Sequence, residues 1–243
     1  MTPPLIRLET VDSTNAWARQ HPDQLGSLGA VYATSQTAGR GRLGRSWQNA
    51  DGQALYYSCA LHRPLAQPET LPLLASLVAA DAIAGQFGAD CAVKWPNDLL
   101  LAGKKLAGIL CEGTGGGWII GIGVNLAQPA AFFAGAGLPH ATSLAAAGVP
   151  VPDPQAAADR LAAAFTDLFA ARLPEFARSG FAPLRQQYCT RCINLGRRVS
   201  YQGGAGQALD VDDDGRLVVR DGASGEQRIF TGEVSVCGIY GAL

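Results

Sequence analysis

Residues 36–47 read Gln36-Thr37-Ala38-Gly39-Arg40-Gly41-Arg42-Leu43-Gly44-Arg45-Ser46-Trp47. This arginine loop holds three glycines and three arginines in a chain of which only 16% of residues are charged. Glycine lets the backbone approach a ligand closely, and arginine presents a planar set of donors suited to phosphate. Ordering such a loop costs on the order of 10 kcal/mol, at roughly 1 to 2 kcal/mol per fixed residue. Arginines that point at water do not offset this cost, so we predict a mobile loop that binds an anion.

The glycines of the arginine loop also satisfy the dinucleotide-binding pattern G-x-G-x-x-G, at Gly39, Gly41 and Gly44. That pattern needs a strand before the glycines and a helix directly after them. A turn sequence over 47–52 and a second strand follow instead, so no Rossmann unit is predicted. No Gly-Lys-Ser/Thr closes a Walker loop. The alternative interpretation is a solvated basic surface loop without a ligand.

The composition describes an ordinary globular protein in which the arginine loop is a local basic feature. The 243 residues are 48% hydrophobic, which suits one large domain or one large and one small domain. A formal net charge of -1 gives no general field that would attract nucleic acid or an anionic membrane. We therefore expect the partner of the arginines to be small.

The sequence predicts neither export nor disulfide bonds. The N-terminus lacks a charged region followed by a long apolar stretch, and no run of 18 apolar residues occurs. The six cysteines are scattered through a chain too long to need disulfide staples, so we expect reduced thiols in a cytoplasmic protein. Cys189-x-x-Cys192 has the spacing of a zinc or redox site, but no second pair accompanies it.

Strand and helix signals continue outward from the arginine loop. Apolar stretches over 31–34 and 54–61 flank it, so we expect the loop to join two strands of one sheet. An apolar helix is predicted over 71–87. A short strand over 92–95 then stops at a proline, and the turn 94–98 follows at the strand end, where ligand groups gather in open sheets. The alternative for this turn is a simple cap.

A hairpin and a glycine-containing strand come next. The hairpin covers 99–101 and 106–112, with Lys105 at the start of its second strand, where a lysine ordinarily keeps a sheet edge soluble. Gly108 is unusual inside a strand and indicates close approach by a ligand or another backbone. The following strand, 118–123, carries Gly121 and Gly123 on one face and predicts an open slot for a flat apolar ligand.

The last third of the chain changes character at residue 191. A helix with one core-facing stripe is predicted from Asp153 to about Arg172, and another over 181–191. Five short strands between 197 and 237, punctuated by glycine turns, predict a small antiparallel barrel. So little apolar mass favours a barrel that leans on the larger domain.

Several of these pieces occur in an order that resembles one family. The matching pieces are Asp12-Ser13-Thr14-Asn15, Gln36, Gly39 to Trp47, Lys94-Trp95-Pro96-Asn97-Asp98, Lys105 to Glu112 and Gly121 to Asn125. Together they look like the signature of the biotin protein ligases, also called biotin–[acetyl-CoA-carboxylase] ligases. Some family members carry an N-terminal helix-turn-helix domain. Here the ligase sequence starts by Leu5, so the resemblance is to the monofunctional type.

The resemblance implies a fold and a reaction. The fold is α+β: a mixed β-sheet catalytic domain packed with helices, of the class II synthetase and biotin–lipoate ligase kind, over residues 1–193, then a small SH3-like β-barrel over 194–243. The reaction has two steps. Biotin and MgATP give biotinyl-5′-AMP, and a lysine of a biotin carboxyl carrier protein then attacks the mixed anhydride.

The resemblance also implies roles for individual residues. The catalytic residues are Lys105 and Arg42, and Asp98 would hold Mg²⁺. The implied biotin-binding residues are Ser13, Thr14, Asn15, Gln36, Gly39, Arg40, Gly41, Arg42, Lys105, Gly108 and Gly121. The implied ATP- or adenylate-binding residues are Arg42, Arg45, Trp47, Lys94, Asn97 and Asn125.

The expected ligands are biotin, ATP and Mg²⁺, and the expected partner is the biotin carboxyl carrier protein of acetyl-CoA carboxylase. We expect no DNA and no membrane as partners, and two copies could pair through sheet edges as a homodimer. Two alternatives remain open. One is a lipoate or octanoate ligase of related architecture, and the other is a non-catalytic nucleic-acid-binding module.

Overall fold

The structure, a computed structural model, describes residues 2–45, 47–48, 51–222, 225–230 and 232–239. Its larger part is a seven-stranded mixed sheet with helices on both faces, and its smaller part is a five-stranded antiparallel sheet. The predicted α+β fold is therefore confirmed.

The large sheet has the order β1-β3-β5-β9-β8-β7-β6, and only its β1–β3 pair is parallel. Two further short strands, β2 and β4, pair with each other in parallel next to the arginine loop. Because β3 and β5 are antiparallel neighbours, the arginine loop does join two strands of one sheet, as predicted. The strands are β1 Leu5–Arg7, β2 Thr10–Val11, β3 Leu28–Ala33, β4 Ser35–Gln36, β5 Ala54–Leu61, β6 Ala92–Lys94, β7 Asp98–Leu101, β8 Lys104–Thr114 and β9 Gly117–Asn125.

The helices lie in two layers. The described α-helices are α1 Thr14–Gln20, α2 Pro22–Leu25, α3 Leu71–Phe87, α4 Ala130–Gly135, α5 Pro154–Ser179 and α6 Arg185–Arg191. Helices α3 and α5 pack on one face of the sheet, and α1 packs on the other. Helix α3 has the predicted bounds and ends at Gly88, whose φ of 64° suits glycine. Helix α5 runs past its predicted end and through Pro174, because its apolar stripe continues to Leu173 and Phe176.

Strand alternation separates the two faces of the sheet. Tyr57 and Ile120 face the main hydrophobic cluster under α3 and α5, whereas Ala60 and Ile119 face a smaller cluster under α1. Ser58 shares the α1 side with Ala60, because the two residues are two positions apart along the strand. This smaller-cluster side of the sheet also carries the candidate site.

One described helical stretch, Pro68–Phe87, is long and apolar enough to cross a membrane by length and composition. Two thirds of its most apolar window is buried inside the protein. A core helix passes the same test, and this stretch packs against α5 and the large sheet.

The C-terminal strands form an antiparallel sheet of order β13-β12-β11-β10-β14, as expected for a small barrel. They are β10 Arg198–Tyr201, β11 Gly204–Val211, β12 Leu217–Asp221, β13 Gly225–Ile229 and β14 Val234–Val236. Their apolar side chains join the main cluster of the large sheet, so the smaller sheet does lean on the larger part. The division into residues 1–193 and 194–243 stays a prediction.

The segment between the two sheets is tied to the turn 94–98. Ile193 donates its backbone N–H to Val93 O at 2.9 Å, and Asn194 Oδ1 accepts from the backbone N–H of Trp95 at 2.8 Å. The buried Trp95 indole donates to Gly215 O of the smaller sheet at 3.0 Å. The turn 94–98 is therefore held from both sides of the boundary.

Candidate active site

A first cavity, of about 70 Å³, lies between the start of α1 and the large sheet. It brings together all but one of the residues that the sequence assigns to biotin. These lining residues are Ser13, Thr14, Asn15, Gln36, Arg40, Gly41, Arg42, Lys105, Gly108 and Gly121. The exception is Gly39, whose carbonyl accepts from the backbone N–H of Trp47 at 2.9 Å. Gly39 therefore shapes the arginine loop rather than the cavity wall.

The start of α1 forms the polar end of the first cavity. Ser13 caps the helix by accepting from the backbone N–H of Ala16. Gln36 Oε1 accepts from the backbone N–H of Thr14 at 2.9 Å and from its hydroxyl at 3.2 Å. Thr14, Asn15 and Gln36 are all buried. Buried donors and acceptors at one end of an apolar pocket fix the orientation of a polar ligand head.

The predicted slot above Gly121 and Gly123 exists, but side chains of the protein occupy it. A Cβ on Gly121 would overlap the Asn15 side chain, and a Cβ on Gly123 would lie 3.0 Å from Trp47 Cε2. A Cβ on Gly108 would lie 2.7 Å from Trp47 Cζ3. These three glycines form a glycine floor on which Asn15 and the Trp47 indole lie. The slot is therefore present as part of the first cavity, which all three glycines line, but Asn15 and Trp47 take up much of the space that one strand alone would leave open.

The arginine loop folds across the first cavity. Gly41 donates its backbone N–H to Arg45 O at 2.7 Å, which closes a short turn. Arg42 donates to Asn97 Oδ1 at 2.7 Å and to Gly232 O of the C-terminal part at 3.3 Å. Arg45 pairs with Glu233, which also belongs to the C-terminal part. Ser46, which the sequence motif includes, lies outside the described residues.

Lys105 lies at the centre of the site. Its Nζ is 2.7 Å from Asp98 Oδ1 and 5.6 Å from the centre of the Trp47 ring. Burial lowers the pKa of the neighbouring Lys94, and the Asp98 carboxylate acts against this shift. Lys105, Arg42 and Glu233 also act on Lys94, so positive side chains gather near the buried Asp98 carboxylate, with Glu233 as a second carboxylate within range.

A second cavity, of about 880 Å³, adjoins the first. It is lined by every residue that the sequence assigns to ATP or the adenylate: Arg42, Arg45, Trp47, Lys94, Asn97 and Asn125. The two cavities share Gly41, Arg42, Trp47, Asn97 and Lys105. One ligand could therefore occupy both.

The sequence missed two segments that line the second cavity. The first, between Phe132 and Ala141, lies in an alanine- and glycine-rich stretch without a period. The pair Phe132-Phe133 was the available signal, since two adjacent aromatics are unusual there. The second segment is Gly232 to Ser235 of the C-terminal part. The sequence predicted only that the barrel leans on the larger domain, and its contribution to the lining of the second cavity is an addition to that prediction.

Asn125 takes a place that the sequence did not foresee. Its Nδ2 donates to Thr142 O at 2.9 Å, and its Oδ1 accepts from Gln128 at 2.9 Å. Thr142 in turn donates its backbone N–H to Lys105 O at 2.8 Å. Asn125 therefore ties the 138–142 segment to the end of β9, while Thr142 itself ties that segment to Lys105 on β8.

No group of three or more His, Cys, Asp or Glu side chains that could hold a metal ion occurs among the described residues. Burial raises the pKa of the Cys189 thiol and raises that of Cys192 to about 12. Both thiols are therefore protonated at neutral pH, a state that binds metals and attacks disulfides poorly.

Comparison with known proteins agrees with the fold. The model of the Biotin/lipoate A/B protein ligase family matches residues 7–127. A biotin–[acetyl-CoA-carboxylase] ligase of Paracoccus denitrificans is 38% identical over 93% of this chain and 98% of its own length. The bifunctional ligase/repressor BirA of Bacillus subtilis is 30% identical over 96% of this chain and 74% of its own length.

Among solved structures, a biotin protein ligase from Aquifex aeolicus in complex with biotin and ATP has a TM-score of 0.79 at 26% identity. The match covers 96% of this chain and 98% of that one. The fold thus defines a ligase of the biotin/lipoate type. Within that type, the chain belongs to the biotin protein ligases.

Proposed function

We propose that this protein activates biotin with ATP to biotinyl-5′-AMP. It then transfers the biotinyl group to a lysine of the biotin carboxyl carrier protein of acetyl-CoA carboxylase. The observation that carries the proposal is the position of Lys105, paired with Asp98, where a small polar-ended cavity meets a large cavity rimmed by arginine. A carboxylate held in the first cavity would meet a phosphate held in the second at this lysine.

Biotin would bind in the first cavity with its ureido head at the start of α1. Thr14 and Gln36 are buried there and can exchange hydrogen bonds with the ureido group. The cavity of about 70 Å³ is far below the roughly 300 to 1,000 Å³ of ordinary ligand pockets. Entry therefore requires the Trp47 indole to leave the glycine floor, which gives the arginine loop the role of a lid.

In the first step, an oxygen of the biotin carboxylate attacks the α-phosphorus of ATP, and the bond to the β-phosphate oxygen breaks. Negative charge develops between the carboxylate and the α-phosphate, where Lys105 and Arg42 can stabilise it. Asn97 supports this geometry, because it donates to Ile109 O at 3.0 Å and thereby aims its Oδ1 at Arg42. Positioning and electrostatics would supply the rate enhancement.

ATP would enter the second cavity as its magnesium complex. Magnesium is ordinarily held by one or two carboxylates together with substrate phosphates. Asp98 can supply one such oxygen at the edge of the second cavity, while Arg45 and Lys94 are placed for the phosphates. Phe132 and Phe133 offer an apolar wall for the base.

In the second step, the amine of the carrier lysine attacks the carbonyl carbon of the adenylate and AMP leaves. The nucleophile comes from the partner, so the enzyme needs none of its own. An acyl-adenylate reacts with water, and the folded arginine loop with Trp47 would exclude water until the carrier arrives.

The test is ATP-dependent transfer of labelled biotin to a purified biotin carboxyl carrier domain, with lipoate as the control substrate. We expect transfer of biotin and release of AMP and pyrophosphate. Transfer of lipoate instead would assign the protein to lipoate attachment. Salt-dependent retention of DNA on a filter, without any transfer, would favour a nucleic-acid-binding module. Cytoplasmic location, a homodimer, and the absence of DNA and membrane partners stay predictions.

A further inference from the structure

Glu112 lies just outside the first cavity and contacts one of its residues. It follows Gly108 and Leu110 at intervals of two along β8, so the three residues share the α1 side of the sheet. Its Oε2 accepts from Asn15 Nδ2 at 2.7 Å, and its Oε1 lies 3.2 Å from Arg19 Nη2. The Glu112 side chain is 28% exposed, so solvent only partly screens its interactions with Asn15 and Arg19.

Glu112 determines which way the Asn15 amide points. The oxygen and nitrogen of an amide have nearly the same shape, and only their partners distinguish them. An ionised carboxylate can only accept, so it selects the NH₂ group of Asn15, and Leu110 O accepts from the same nitrogen at 3.4 Å. Asn15 Oδ1 must then face Ser58, whose hydroxyl lies 2.6 Å away.

The orientation of Asn15 in turn determines where the neighbouring hydroxyl protons point. An amide oxygen has no proton, so the 2.6 Å contact requires the single Ser58 proton. Thr14 Oγ1 lies 2.8 Å from Ser58 Oγ and 3.2 Å from Gln36 Oε1. Thr14 then donates its single hydroxyl proton to either Ser58 Oγ or Gln36 Oε1. The side of Thr14 Oγ1 that faces the cavity can therefore only accept.

We propose that Glu112 is a positioning residue that sets the proton direction along Asn15, Ser58 and Thr14, so that Thr14 Oγ1 accepts a hydrogen bond from a ureido N–H of the substrate. This proposal rests on the proposed function. Arg19 serves it by keeping a positive charge beside Glu112. A site built in this way selects a ring with N–H at that place and rejects one with an acceptor there, because two acceptors would face each other without a proton.

The test compares biotin with its two cyclic carbamate analogues, in each of which one ring N–H is replaced by oxygen. The wild-type protein should prefer biotin over one of the two by at least about 100-fold in kcat/KM, since sites built on hydrogen bonds reject such analogues strongly. Glu112→Gln removes the carboxylate that selects the Asn15 NH₂ group and leaves only the longer contact to Leu110 O, so the amide can turn over. The Ser58 proton can then point at Thr14 Oγ1, and the Thr14 proton is left to divide between Gln36 Oε1 and the cavity. We expect that ratio to fall about tenfold, with kcat at saturating biotin within about threefold of wild type.

The matched control is Glu226→Gln, which removes an exposed ion pair to Arg220 in the C-terminal part. It should leave the ratio unchanged. If Glu112→Gln lowered kcat/KM for biotin and for the carbamate by the same factor, the ratio of the two would be unchanged. That result would show a merely structural role and overturn the proposal. A wild-type protein that does not discriminate would overturn it too.

Thr14→Val keeps the proposal testable if Glu112→Gln does not fold. This substitution removes Thr14 Oγ1, the accepting oxygen at the far end of the hydrogen-bond series that starts at Glu112. The preference for biotin over the carbamate should therefore fall by a similar factor, and a retained preference would contradict the proposal. A wild-type protein with no biotin-dependent pyrophosphate exchange would instead contradict the proposed function. The two failures are therefore distinguishable.

Discussion

Lys105 shows how one residue acquires its role from its neighbours. Its backbone is tied to the 138–142 segment, its Nζ is paired with Asp98, and the Trp47 ring lies beside it. Lys104, the next residue in the same strand, is exposed. Two adjacent lysines on one strand thus face different surroundings; the motif that begins at Lys105 singled it out, and the fold supplies its neighbours Asp98 and Trp47.

We predict that Lys105→Ala lowers the rate of biotin-dependent pyrophosphate exchange by about 100- to 1,000-fold, the usual effect of removing one group that stabilises transition-state charge. The far-UV circular dichroism spectrum should not change. Lys104→Ala is the matched control and should retain the wild-type rate. Pyrophosphate exchange at the wild-type rate in Lys105→Ala would show that Lys105 has no part in the first step.

A second residue-scale prediction concerns the glycine floor. Gly108→Ala places a methyl group 2.7 Å from Trp47 Cζ3, so the indole has to shift. The methyl group also occupies the floor of the first cavity, where biotin would lie once the indole has moved. We therefore expect the KM for biotin to rise about tenfold and the tryptophan emission to move to longer wavelength. Gly85→Ala in α3 meets nothing within 4 Å and should raise the free energy of unfolding by up to about 1 kcal/mol, with unchanged KM. An unchanged KM for biotin in Gly108→Ala would show that the position of Trp47 on the glycine floor does not affect biotin binding.

At the scale of elements, the arginine loop bridges the two parts of the protein. Its described contacts reach Asn97 on one side and Gly232 and Glu233 on the other. The pair of Arg45 with Glu233 is largely exposed, with side-chain exposures of 69% and 52%, and such pairs contribute little stability. The loop is therefore suited to open and close.

We predict that trypsin cleaves free protein at Arg40, Arg42 or Arg45 and that biotin with ATP slows this cleavage at least tenfold. The ligand would order the loop by filling the space between it and the sheet. Cleavage at Arg228, which lies on β13 outside both cavities, is the internal reference. Equal cleavage rates in the arginine loop with and without ligand would show that the loop does not order on binding.

Most elements were predictable from local patterns. The strand 54–61 and the helix 71–87 have the predicted bounds, because each is a mainly apolar stretch with clear ends. The pairs β1–β3 and β2–β4 were not predicted, since parallel pairing joins distant segments. Helix α4 is only six residues long, and its sequence has no apolar period that would predict it.

At the scale of the whole molecule, the two sheets share one hydrophobic cluster. We therefore predict a single unfolding transition in urea, with coincident curves from circular dichroism and tryptophan fluorescence. The buried Trp95, bonded to Asn194 and Gly215, makes fluorescence sensitive to separation of the parts. An earlier fluorescence transition would show that the C-terminal sheet unfolds by itself and would support a domain boundary near residue 193.

Stability should also depend on alkaline pH. Burial raises the pKa of Cys59, Cys91 and Cys192 from 9.0 to about 12, so the unfolded chain loses these protons at lower pH than the native protein does. The stabilisation is full below pH 9 and is lost as the pH rises toward 12. The free energy of unfolding should fall by about 1.4 kcal/mol per pH unit for each thiol over this interval. Cys59→Ala should reduce the slope, whereas alanine at the exposed Cys237 should not.

The sequence alone determined the class of fold, most of the elements and the motif residues that line the two cavities, because these depend on local period, turn chemistry and an ordered set of motifs. It did not determine that residues 132–141 and 232–235 also line the second cavity. Which partner each side chain meets depended on folding. Glu112 is 97 positions from Asn15, and Arg42 is 190 positions from Gly232. No local pattern records such contacts, since they arise when separate strands and the C-terminal sheet pack on one core. For the same reason the slot above the glycines looked open in the sequence and is largely taken up by Trp47 and Asn15 in the structure.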